Sequence, residues 1–211
     1  MQLLLHDFTS LDQQFNSMGY DIFLMPKTRD EEKAYRITLC EEKNTDLSET
    51  FTFFHSGEVG ENGLKQVEAI LAIDLSAFKR SPANYMLDTG ELEYSLYLAE
   101  EQNDTIKIAQ IKVQIEQAKV DWDKSYDTDH RGWTLLTEMR QVVQTLIQKM
   151  EEQPDFGKHI KDAEGWGDYF LVKPSQRKYG EQRLINDLQN LLATMDCMEA
   201  EGVEYVGFVG M

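Results

Sequence analysis

The feature that most constrains this chain is a run of apolar residues whose spacing keeps to helical steps without a miss: Leu135, Leu136, Met139, Val142, Val143, Leu146, Ile147 and Met150. That spacing draws one stripe along an α-helix and cannot lie on one face of a strand. The predicted helix runs from Thr134 to Glu152 and is stopped by Pro154. Leu184, Ile185, Leu188, Leu191, Leu192, Met195 and Met198 repeat the pattern and predict a second helix from Ser175 to Ala200, closed by Gly202. Two such stripes joined by about 25 residues must be buried on each other or on one sheet face. Each is short for a coiled-coil seam.

Ahead of these helices the dominant period is two. Tyr20, Ile22 and Leu24 alternate up to Pro26, Tyr35, Ile37 and Leu39 follow, and then Phe51 and Phe53. Leu92, Tyr94, Leu96 and Leu98 predict the first strand of a hairpin that turns over Ala99 to Thr105 and returns through Ile106, Ile108, Ile111, Val113 and Ile115, with a bulge at Ala109 and Gln110. Helical spacing in this half is found over Asp7–Ser17, over Leu64–Phe78, and in a shorter turn started by Ser81-Pro82 that carries Tyr85 and Met86. Short strands are predicted at Leu3–Leu5 and Tyr169–Val172, a short helix over Asp155–Ala163, and a polar turn over Lys27–Lys33. The predicted class is α+β: an antiparallel sheet of meander plus hairpin, with two long amphipathic helices in the C-terminal half packed together or on the sheet. Residues 1–120 form a strand-rich α+β region, 121–133 an acidic junction, and 134–211 a helical region with a short C-terminal strand. Together they make one compact unit or two tightly packed subdomains.

The acidic junction, Asp121 to His130, places Asp121, Asp123, Asp127 and Asp129 within nine positions. As a calcium loop it has Asp121, Asp123, Ser125, Asp127 and Asp129 in the right register, but Tyr126 stands where the turn needs glycine and Gly132 where a bidentate glutamate is needed. Asp127, Asp129 and His130 find no complement for catalysis, because His6, His55 and His159 are isolated. Gly57, Gly60 and Gly63 resemble a phosphate cradle only in spacing, with Glu58 and Glu61 among them. Cys40 and Cys197 lie far apart without neighbouring ligand types and are expected as buried free thiols. No metal, cofactor or catalytic residue is predicted.

Charge is the strongest compositional signal. Thirty-eight acidic residues against 21 basic ones give −17, and the acids are spread along the whole chain. A body so charged repels nucleic acid and anionic membranes and favours basic surfaces, although solubility alone also accounts for it. Further acidic clusters fall at Glu41, Glu42, Asp46 and Glu49, and at Glu91, Glu93, Glu100 and Glu101. The expected function is that of an acidic, non-enzymatic binding or inhibitor protein occluding the basic, nucleic-acid-binding surface of a partner such as a nuclease. Its expected contact residues are Asp121, Asp123, Asp127, Asp129, Glu151, Glu152, Asp155 and Trp166. In size and acidity the chain resembles the small proteins with which phages and mobile elements block restriction or CRISPR nucleases, a resemblance of class and charge without shared motifs. The alternatives are a regulatory or immunity-type protein binding through shape and apolar contacts, with incidental acidity, and an enzyme of unrecognised type. The chain is expected in the cytoplasm, as a monomer or dimer, without a membrane span or direct contact to nucleic acid.

Overall fold

The computed structural model describes residues 22–44, 47–56, 63–82, 85, 87–161, 167–170 and 183–210. Its elements are β1 (Ile22–Pro26), α1 (Glu31–Asn44), α2 (Glu49–Ser56), α3 (Gly63–Leu71), α4 (Gly90–Glu101), α5 (Thr105–Thr128), β2 (Thr134–Leu135), α6 (Leu136–Glu152), α7 (Leu184–Ala200) and β3 (Tyr205–Gly210). The class is α+β, with a three-stranded antiparallel sheet in the order β1-β3-β2. Ile22 pairs with Gly210 and Leu24 with Phe208, while Thr134 pairs with Val206. Pro26 is tolerated because β1 is an edge strand, where a missing N–H interrupts no inner ladder.

β3 is central, and its apolar run from Val206 to Val209 is buried throughout. One face meets Phe51, His55 and Phe78 around Phe208. At Gly207 any Cβ would stand 2.8 Å from the Pro82 ring, so the absence of a side chain admits that ring. The stripes of α6 and α7 close the core beneath: Met139, Val143, Leu146 and Met150 of α6 and Leu184, Leu188, Leu191, Met195 and Met198 of α7 are all buried. The two helices pack on one another, bridged at the surface by Arg140 to Asp196 (2.5 Å) and Glu199 (3.0 Å). Gly202, at φ +68°, ends α7 as predicted, with its N–H donating to the Glu199 carbonyl.

The strand-rich front is a correction, because among its described residues only β1 is a strand. Tyr35–Leu39 belongs to α1, where Ile37 is buried while Tyr35 and Leu39 stay exposed. Asp30 caps this helix by accepting from the Lys33 N–H at 2.9 Å. Phe51 lies in the first turn of α2, which is capped by Ser48, and Phe51 and Phe54 are buried one turn apart. The predicted hairpin is a pair of antiparallel helices, α4 and α5. Its period-two pattern hides a helical one, since every second residue of the alternation is four apart: Leu92 and Leu96 face α5, and Tyr94 and Leu98 face outward. The slip read as a bulge is the helical spacing of Ile108, Ile111 and Ile115. The helix predicted through Phe78 stops at Leu71; Leu75 and Phe78 still reach the core through a 3₁₀ turn at Ser76–Lys79, where Glu68 accepts from the Leu75 N–H at 3.0 Å.

Tyr169 and Phe170 lie in a 3₁₀ turn rather than a strand, and the helix predicted over Asp155–Ala163 is a 3₁₀ turn at Phe156–His159. Cys197, expected as a free thiol, is disulfide-bonded. Sequence separation gave no sign of this, because the packing of elements, here of α1 along α7, decides what Cys197 meets. The segments predicted at Leu3–Leu5 and Asp7–Ser17, the loop residues 57–62, and residues 175–182 of the predicted last helix lie outside the described residues. Among the described residues no helix is long and apolar enough to cross a membrane.

Candidate partner-binding surface

The acidic junction is the last turns of α5 and the turn into β2, not a loop. Helical geometry turns about 100° per residue, so Asp121 and Asp123 point to opposite sides and the carboxylates do not form one row. The same geometry prevents residues 121, 123, 125 and 127 from converging on one ion. Gly132, the failed calcium position, is needed for a different reason: at φ +80° its Cβ would collide with the Ser81 carbonyl.

Cations from the chain leaving β1 meet these acids. Arg29 donates to the Asp123 carboxylate at 2.8 Å and to the Asp123 carbonyl, lies 3.3 Å from Asp127, and stacks on Trp122 and Tyr126. Lys27 donates to the Asp129 carbonyl at 2.9 Å, sits 2.9 Å from Nδ1 of His130, and is ringed by Tyr126, Trp133 and Tyr205 at 5.2–5.8 Å. Loss of water around the amine depresses its pKa, and Asp129 and Asp127 oppose that shift. Arg131 grips Asp129 through hydrogen bonds of 2.6–3.0 Å and pulls its carboxyl down to about 2. Asp121 is bonded to Gln117 at 3.0 Å. The Lys27–Lys33 stretch, predicted as a polar turn, is therefore the internal counter-charge of the junction for its first residues and then the start of α1.

Beside it opens a cleft of about 360 Å³ lined by Lys27, Arg29, Asp127, His130, Glu204 and Tyr205. His130 stacks on Tyr205 with ring centroids 4.4 Å apart. Both cations of the cleft are engaged by the protein's own acceptors, so it offers a polar surface rather than a poised nucleophile. His55 lies elsewhere, half-buried against Phe51 and Phe208, and loss of water there lowers its pKa. Among the described residues no group of three or more His, Cys, Asp or Glu is placed to hold a metal ion.

The other predicted contact residues lie apart. Glu151 and Glu152 are at the far end of α6, roughly 22 Å along its axis from the junction. Glu152 is paired with Gln148 and Lys149, and Asp155 with Lys158 at 2.7 Å. Trp166 and the side chains of the Glu41–Glu49 cluster lie outside the described residues.

Sequence reasoning missed the arm formed by α4 and α5. These helices pack chiefly on one another, around a small core of Ala99, Ile111 and Ile115 separate from the main one. Six of the nine exposed large apolar residues among the described ones lie here. On α4, Tyr94, Tyr97 and Leu98 are 64%, 56% and 37% exposed. They stand on a helix that carries Glu91, Glu93, Glu100 and Glu101 and no basic residue. The available signal was the i, i+4 pairing inside the alternation. Compared with protein families, curated proteins and solved structures, the chain matches none of them.

Proposed function

We propose that this is a non-enzymatic binding protein that occludes a basic, nucleic-acid-binding surface of a partner protein, and that the outward face of α4 is its main point of contact. The observation that carries this reading is the combination on α4 of two exposed tyrosines and a leucine with four glutamates and no cation. Exposed aromatics supply contact energy at protein interfaces, while the carboxylates select a basic partner and steer its approach. The internal pairing of Asp123, Asp127 and Asp129 moves the expected contact away from the junction. The same pairing favours a second reading, in which shape and apolar contacts dominate and the acidity is incidental. The disulfide at Cys197 weighs against the expected cytoplasmic location, where such bonds are held reduced.

The test is capture from a lysate of the cell that makes the protein, followed by measurement with the purified partner. Replacing Glu91, Glu93, Glu100 and Glu101 by Gln should weaken binding and flatten its salt dependence, and Tyr94→Ala with Tyr97→Ala should weaken binding by about tenfold or more. A partner that holds this protein and nucleic acid at the same time would overturn the occlusion reading. Binding that ignores the glutamine changes but is lost with the tyrosines supports the second reading.

A further inference from the structure

We infer that two copies of this chain associate through the outward face of α5, antiparallel about a two-fold axis. Ile106, Val113 and Val120 are 72%, 69% and 58% exposed and lie seven residues apart. Seven residues are nearly two helical turns, so the three form one line about 21 Å long, on the side of α5 opposite Ile108, Ile111 and Ile115, which face α4. β-branched residues at this spacing suit the seam between two helices. A shallow, mostly apolar groove of about 360 Å³ runs along the line between Lys112, Val113, Glu116 and Val120.

The occupant is indicated by charge. Residues 105–112 of α5 carry Lys107 and Lys112 and no acid, whereas in 121–128 Arg29 holds Asp123 and Asp127 and leaves Asp121, bonded to Gln117, as the acid that can meet Lys107 of a second copy. A second α5 running the opposite way sets each basic end beside an acidic one and opposes the helix dipoles favourably; a parallel copy would set like beside like. With Val113 on the axis, Ile106 packs against Val120 of the second copy, and Lys112, which lies 3.9 Å from Glu100 of its own α4, comes alongside the second copy's Glu116. The contact is isologous and closes after two copies. It leaves the outer face of α4 pointing away, so it stands or falls independently of the function proposed above.

Sedimentation of the full chain across a concentration series decides the matter. The expected result is a dimer that Val113→Asp weakens by about tenfold or more, with helical content unchanged because the side chain is exposed. Lys112→Glu should weaken the dimer, and Lys112→Glu combined with Glu116→Lys should restore it, which decides the question even if the Val113 variant fails to fold. The inference is overturned by a monomer at every concentration, as would follow if another part of the chain or a different protein covered this face. A dimer indifferent to Val113→Asp, or a double charge reversal without rescue, overturns it equally.

Discussion

Asp187 is the buried carboxylate on which three elements meet. Its oxygens accept from the Ser48 N–H at 2.9 Å, the Ser48 hydroxyl at 2.6 Å and the Tyr169 hydroxyl at 2.9 Å, tying α7 to the start of α2 and to the 3₁₀ turn at Tyr169. Burial raises its pKa, and the hydrogen bonds from Ser48 and Tyr169 oppose the rise. A carboxyl raised in the folded state contributes fully below its unfolded value, near 3.8, and loses that contribution as pH climbs through the folded value. Asp187→Ala should cost about 3 kcal/mol in urea unfolding, since it strands three buried donors. Asp187→Asn retains one acceptor oxygen, so it should cost less than the alanine change, and its deficit against the parent should shrink as pH rises above about 4. An asparagine variant as unstable as the alanine one at every pH would show that the site needs charge rather than hydrogen-bond geometry.

At the scale of elements, the arm rests on a small core of its own, because α4 and α5 bury few residues between them. Asp104 starts α5 by accepting from the Lys107 N–H at 3.0 Å, and Asn103 turns the chain at φ +54°. Asp104→Ala should therefore lower the arm's stability by about 1 kcal/mol, seen as faster hydrogen exchange in α4 and α5 with α6 and α7 unchanged. Uniform acceleration across all helices would mean that the arm unfolds only with the whole. The same contrast explains what was legible in the sequence. α6 and α7 are plain because most of each stripe is buried, so burial and period agree, although Leu135 at the head of the first stripe falls in β2 and is exposed. α4 and α5 were read as strands because both of their faces are apolar: one packs inward, the other faces solvent, and an alternation-based reading assigns the two to the faces of a sheet. At the junction, the carboxylates were legible and their neutralisation was not. Arg29 and Asp123 are distant in sequence and meet only through the tertiary fold.

Across the whole molecule, a charge of −17 is opposed by local pairing, as at Arg29, Arg80, Arg131 and Arg140. Surface pairs of this kind contribute little individually, whereas the surplus of acids repels itself over longer distances. Salt that shortens the screening length from about 30 Å to about 8 Å should therefore raise the melting temperature, read by circular dichroism. A steady fall with added salt would show that the pairs outweigh the repulsion. The central position of β3 bears on how the chain is made. β1 leaves the ribosome long before its only described partner strand, and at 5–20 residues per second that interval is roughly 10 to 40 seconds. Through that interval β1, and in its later part the two-residue β2, are open edges that any other extended chain could pair with. Pro26 and the brevity of β2 make both poor templates, so the nascent chain reaches its last strand with its pairing sites still free.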